Sequence, residues 1–157
     1  MEEVAALYTE TFAEYYTAGQ LVQVEITPSM LAGFVEEEQI SLDISPVMLV
    51  DNVPAGFTTV GVRDDGCQAY CRGFGIVPAF RGAGLGVALA DEMIRRAVEH
   101  GARPDSSMTL SCMADNHSAI ATYKRAGFSV VRQLQNLSWS SSASPQADPS
   151  DGTYWRQ

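Results

Sequence analysis

Positive charge is scarce in this chain: 157 residues carry 10 lysines and arginines against 19 aspartates and glutamates, for a formal net charge of -9. A nucleic-acid binder needs a basic surface to neutralise phosphates, so no nucleic-acid partner is expected. Cysteine is sparse too, with Cys67, Cys71 and Cys112 only. An odd set in a chain of this size points to reduced thiols of the cytoplasm rather than a disulfide framework. Cys67 and Cys71 fall on one strand face with no second ligand pair, so no metal is expected. No apolar run reaches the length of a membrane span, which argues against a membrane partner. The start, "MEEVAALYTETF", is acidic and amphipathic rather than a secretory leader, and the expected location is cytoplasmic. Charged residues make up 18% of the chain, too few for a solvated disordered polymer, and 46% are hydrophobic, enough for one core. A single domain over 1–157 is the expectation.

Hydrophobic spacing supplies the elements. Val4, Tyr8, Phe12 and Tyr15 recur every three or four positions and predict a helix over 2–18. Thr27-Pro28 reads as an N-cap with proline at the first helical position, opening a helix to about Glu38, where three glutamates oppose the helix dipole. "PVMLV" (46–50), "AGFTTVGVR" (55–63) and "CQAYCRGFGIV" (67–77) read as an antiparallel meander with turns at "DNVP" and Asp65-Gly66. A glycine-rich entrance then leads into an amphipathic helix with Val87, Ala90, Ile94, Ala97 and Val98 on its apolar face and Gly101 at its C′ position. A strand over 107–113 follows, then a short helix capped by Asp115 or Asn116 and stopped by Gly127. A long strand over 128–139, a mobile loop over 140–152 and an edge strand from "TYWRQ" complete the reading. The order is that of a mixed α/β layer around one sheet.

The stretch "GFGIVPAFRGAGLGVALADEMI" concentrates the chemistry. Gly82, Gly84 and Gly86 stand where a strand passes into a helix, although glycine costs a helix interior about 1 kcal/mol against alanine. Converging main-chain N–H groups and the helix dipole make such a turn an anion site, and Arg81 adds a full positive charge at its rim. A P-loop is excluded because no Gly-Lys-Ser/Thr follows. The dinucleotide fingerprint fits badly, because Val87 holds the position of its small closing residue. A connection that serves only close helix–strand packing stays open on these residues alone.

"VPAFRGAGLGVALADEMI" resembles the acetyl-coenzyme A signature of the GNAT superfamily of N-acetyltransferases, through Arg81, Gly84 and Gly86. "NHSAIATYKRAGF" is similar to the second signature, through Asn116, Ala119, Tyr123, Gly127 and Phe128, and the resemblance covers roughly residues 1 to 139. It implies a mostly antiparallel central sheet flanked by helices and split between the strand ending at Val77 and the one at 107–113. In that slot the main chain of Ile76 and Val77 would pair with the pantetheine arm of acetyl-CoA, and the amides of Gly82, Ala83, Gly84, Leu85 and Gly86 would hold the diphosphate. Asn116 would contact the arm, Ala119 would pack beside it, and Tyr123 would be the catalytic partner of the leaving sulfur. Lys124 and Arg125 could reach the ribose phosphate, with a solvated pair as the default.

The implied reaction is transfer of an acetyl group from acetyl-CoA to a primary amine of a small molecule, peptide or protein. Deprotonating an amine of pKa about 10.4 costs roughly 4–5 kcal/mol at pH 7, so a base or water relay would help. The Val77 N–H is the expected donor to the oxyanion. No base is assigned: 67–77 contains no Asp or Glu, as several relatives would have. Tyr70 reads more as a cavity wall and His117 as a solvent-facing side chain. Glu36, Glu37, Glu38 and Asp43 could bind a cationic amine, though a solvated acidic run is the default. The missing acid keeps a non-catalytic acyl-CoA sensor of the same fold as the alternative. Many relatives begin with a strand before the first helix, whereas this sequence begins near that helix, so the expected sheet is one edge strand shorter. Tyr8, Phe12, Tyr15 and Tyr16 could line an acceptor pocket, with core packing accounting for at least two. A homodimer is left open, since strand exchange is common in the superfamily.

Overall fold

The computed structural model describes residues 2–17, 25–63, 65–103 and 105–134, without the side chains of 14–17. Helix α1 (Glu2–Thr17) and helix α2 (Pro28–Glu37) lead into strands β1 (Val47–Val50), β2 (Val53–Val62) and β3 (Gln68–Ile76). Helix α3 (Leu85–Glu99), strand β4 (Ser107–Leu110) and helix α4 (His117–Arg125) follow. The predicted meander forms: β1, β2 and β3 pair antiparallel in sequence order, and β4 adds to β3 in parallel. Asp51 and Asn52, both at positive φ, make the two-residue β1–β2 turn, a conformation these residue types tolerate. Thr27 caps α2 as expected, its hydroxyl accepting from the Met30 N–H at 3.2 Å.

β2 is buried on both faces from Ala55 to Gly61, because helices cover it twice. On one face α1 sets Leu7, Tyr8 and Phe12 against Phe57, Val77 and Phe80. On the other, Met93 and Ala97 of α3 pack on Val60, Ala69 and Cys71, joined by Phe74 and Phe128. Helices α3 and α4 end in the same motif. After α3 the Gly101 and Ala102 N–H groups donate back to the Val98 and Ala97 carbonyls, and after α4 Gly127 and Phe128 do so to Lys124 and Tyr123.

β3 carries a feature that alternation conceals. Residues 69, 71, 73, 75 and 77 are all buried, as one strand face would be. They occupy two faces instead, because the register jumps from Val60↔Cys71 to Thr59↔Gly73 and leaves Arg72 as an unpaired bulge residue. Ala69 and Cys71 face α3, whereas Gly73 and Gly75 face α1. A Cβ at Gly75 would stand 2.1 Å from the Thr11 Cγ2, so the glycine sets how closely α1 approaches.

Two expectations change. The strand predicted over 107–113 stops at Leu110, and residues 128–134 form no strand. Within the described residues that stretch lies along no ladder, and Val130, Val131 and Leu134 are 62%, 82% and 71% exposed. An apolar alternation becomes a strand only where a neighbour completes its hydrogen bonds. The rest of the expected strand, the 140–152 loop and "TYWRQ" lie outside the described residues, as do the side chains of Tyr15 and Tyr16.

Candidate functional site

The site grows from the end of β3. Pairing with β4 spans only Gln68–Cys71 against Ser107–Leu110, so from Arg72 to Ile76 that side of β3 has left its neighbour among the described residues. Pairing with β2 continues there, and it fixes where the main chain points. The Val77 N–H donates to the Ala55 carbonyl at 2.9 Å. In an antiparallel ladder hydrogen-bonded and non-bonded pairs alternate, so Gly75 and Gly73 also bond toward β2. Phe74 and Ile76 therefore turn their N–H and C=O groups to the side that β4 has vacated. This corrects one expectation: the Val77 amide is committed to β2 and cannot serve as an oxyanion donor. Ile76, predicted beside it, does face the gap as Phe74 does, with its carbonyl accepting there from Arg81 Nε at 2.9 Å.

Past Val77 a turn of 3-10 helix (Pro78–Phe80) leads into Arg81–Gly84 and then α3. Gly82 and Gly84 hold φ +84° and +78°, a region L side chains rarely adopt, and nothing lies within 4 Å of the place their Cβ would take. Gly84 is also the N-cap of α3 and provides no side chain, so the Leu85 and Gly86 amides at the helix entrance have no capping group. Ala83, between the two glycines, is exposed with them. Gly86 has a different reason to be glycine. A Cβ there would meet the Thr122 Cγ2 at 2.8 Å, so it admits α4 against the start of α3.

The Arg81 guanidinium folds back onto main chain: Nε donates to the Ile76 carbonyl at 2.9 Å and Nη2 to the Thr11 carbonyl at 3.0 Å. Arg81 thus ties the glycine turn to both β3 and α1. Its charge still lies at the turn, but much of its donor capacity is spent on shaping it.

α4 closes the far side. Asn116 is its N-cap, the side-chain oxygen accepting from the Ala119 N–H at 3.0 Å. Tyr123 is buried, its ring edge-on to Phe74 at 5.2 Å and to Phe128 at 6.0 Å. The residue expected at the reacting sulfur therefore touches the gap-facing stretch of β3. Lys124 and Arg125 are exposed.

The candidate bases are placed as follows. The Tyr70 hydroxyl donates to the Glu38 and Gln39 carbonyls at 2.9 and 3.2 Å, and its ring covers Gly61, so it fastens the end of α2 to the sheet. Glu38 pairs with Arg72 at 2.8 Å. Glu36, Glu37, Asp43 and His117 are exposed. Tyr8 and Phe12 pack on each other and on Phe57 at 4.8, 5.0 and 6.1 Å, which makes them core. Burial pushes the Cys71 thiol up to about 11, against ordinary values near 9.0, and burial raises Cys112 as well. Neither is poised as a nucleophile. No group of three or more metal-ligating side chains occurs among the described residues, and no helix among them is long and apolar enough to cross a membrane.

Arg72 carries no motif in the sequence, and the bulge that sets it apart appears only when β2 and β3 are paired.

The sequence profile of the Acetyltransferase (GNAT) family matches residues 3–128. No curated protein matches the chain significantly. Several solved structures share the fold. Ard1 from Thermoplasma volcanium aligns with TM-score 0.61 and 21% identity over 83% of this chain and 78% of its own. The putative acetyltransferase YncA from Salmonella typhimurium, solved with acetyl-CoA, aligns with TM-score 0.62 and 22% identity over 84% and 75%. The PaiA N-acetyltransferase from Thermoplasma acidophilum, solved with coenzyme A, aligns with TM-score 0.63 and 14% identity over 81% and 82%.

Proposed function

Because the chain belongs to the Acetyltransferase (GNAT) family, we propose that it transfers an acetyl group from acetyl-CoA to a primary amine of a small molecule, peptide or protein. One observation carries the reading. β3 leaves β4 after Cys71, so that the Phe74 and Ile76 main chain faces a gap continuous with a glycine turn of uncapped amides. An extended arm can lie in that gap as a substitute strand partner. A diphosphate can sit at the turn, where Gly82 and Gly84 leave the backbone bare and the amides from Gly82 to Gly86, Ala83 and Leu85 included, meet the α3 dipole. The donor set is right for such a cosubstrate: neutral N–H groups with one guanidinium, in a chain whose net charge of -9 would otherwise repel it.

When bound, acetyl-CoA supplies an activated acyl carbon and a thiolate leaving group. The protein's part is positioning and charge. An N–H of Phe74 or Ile76, already turned into the gap, can donate to the carbonyl oxygen as it gains negative charge. The Tyr123 hydroxyl, on a ring fixed by Phe74 and Phe128, can donate to the departing sulfur. Full proton transfer from a phenol of pKa about 10 to a thiolate of about 8.5 is uphill by roughly 2 kcal/mol, a cost that a hydrogen bond to the departing sulfur avoids. Asn116 and Ala119 hold the first turn of α4, and with it Tyr123, in place. Proton removal from the amine is left to water, since the carboxylates of the α2 end are exposed or paired with Arg72.

The test is calorimetry with acetyl-CoA followed by mass spectrometry of a thiol-release reaction against pooled amine metabolites. Binding with N-acetylated product is expected. Binding without turnover of any amine would favour the sensor, and tight NAD binding without coenzyme A uptake would overturn the reading altogether.

A further inference from the structure

The bulge residue Arg72 pairs with neither neighbour of β3: Cys71 makes the last pair with β4, and the register with β2 skips Arg72 before resuming at Gly73. Its guanidinium carbon lies 5.5 Å from the centre of the Tyr70 ring, and that of Arg63 lies 6.0 Å from the same centre. Two cations thus lie near one aromatic ring. Glu38 is paired with Arg72, whereas the Arg63 Nε donates at 2.9 Å to the neutral Gln68 Oε1, so no described carboxylate bonds Arg63. A local excess of positive charge persists in a chain of net charge -9, at the closed end of the gap. We propose that the Arg63–Tyr70–Arg72 cluster binds an anionic group, carboxylate or phosphate, carried by the acceptor amine.

The inference rests on the acetyl-transfer reading above, and its geometry follows from it. With the diphosphate at Gly82–Gly86, the arm runs back along β3 past Ile76 and Phe74. Arg72 lies about 13 Å of strand before Ile76 and about 7 Å before Phe74, the residue that Tyr123 touches. An acceptor reaching the thioester from that closed end would pass Arg72 first. The Arg72 side chain is 48% exposed, so an incoming oxyanion can take the bidentate face of the guanidinium and displace Glu38. Glu36 and Glu37, close in sequence to Glu38, are exposed to solvent. An acceptor with a second positive charge is the opposite expectation, and it enters the test as such.

The experiment compares matched acceptors with acetyl-CoA as donor: β-alanine against β-alaninamide for the carboxylate, and phosphoethanolamine against ethanolamine for the phosphate. Calorimetry measures binding of β-alanine and phosphoethanolamine to protein saturated with coenzyme A. In at least one pair kcat/KM should favour the anionic member by about 10-fold, and Arg72→Gln should bring that ratio close to one by raising KM. Arg72→Lys should keep part of the preference, and Glu38→Gln should lower KM for the anionic member. Thermal melts establish that each variant is folded. Ratios at or below one in both pairs, or a preference that survives Arg72→Gln, would overturn the proposal. If no amine is acetylated, calorimetry decides it separately. Anion uptake that depends on Arg72 would keep the cluster and remove the transfer reading, whereas no uptake of either anion would remove the cluster.

Discussion

Tyr123 is the side chain at which the proposed chemistry meets packing. Its ring is fixed between Phe74 and Phe128, so removal of the hydroxyl alone should leave the fold intact. Tyr123→Phe is expected to lower kcat by 10- to 100-fold, roughly 1.4–2.7 kcal/mol, with calorimetric acetyl-CoA affinity nearly unchanged. Unchanged kcat would leave Tyr123 as core alone. The glycines divide at this scale. Gly84→Ala forces an L side chain to φ +78°, costs about 1–2 kcal/mol in strain and should weaken coenzyme A binding. Gly75→Ala should instead act on stability, by roughly 1–3 kcal/mol in urea unfolding, because its Cβ would collide with Thr11. The sequence marked three glycines at the turn as one kind of residue. Only their surroundings show that Gly82 and Gly84 serve conformation while Gly86 serves the approach of α4.

Among the elements, α4 depends on its ends. Asn116 satisfies a first-turn amide with its side-chain oxygen. Asn116→Ala should therefore cost about 1 kcal/mol of stability, and turnover should fall further than coenzyme A affinity as Tyr123 loses its setting. Equal losses in both would mean that Asn116 acts on the bound arm directly. The helices, their caps and the three-strand meander were legible because each is written locally, in spacing and in residues such as Thr27, Asn116, Gly101 and Gly127. The bulge in β3 was not, because the run of buried alternate residues from 69 to 77 fits an unbroken strand. The direction of the Val77 amide, which bonds to Ala55, was not legible either. A strand's inner and outer hydrogen-bonding edges are defined only by its partner.

For the whole molecule, a cosubstrate that binds only the folded state stabilises it by mass action. Acetyl-CoA at about 100 times Kd should add roughly 2.7 kcal/mol and raise Tm, and NAD at the same concentration should not. The Cys71 thiol gives a separate pH signature. Burial raises it to about 11, against 9.0 for an ordinary thiol. The unfolded chain thus releases this proton first as pH rises. The contribution is fully present below about pH 9 and lost between about 9 and 11, and Cys71→Ser should flatten that part of the stability profile. Thiol titration of the native protein near pH 8 should reach the exposed Cys67 and Cys112 and find Cys71 only after denaturant is added.

What this chain alone could say was local: a glycine turn behind a strand, a capped short helix, and two signatures in the order and spacing of one family. These need no distant partner, since φ preferences, capping and periodicity act over a few residues. The gap beside Phe74 and Ile76, the commitment of the Val77 amide to Ala55, the retreat of Arg81 onto the Ile76 and Thr11 carbonyls, and the meeting of Arg63, Tyr70 and Arg72 were decided by tertiary structure. Each depends on which strand lies beside which and where pairing stops, and strand pairing leaves no periodic trace along the chain.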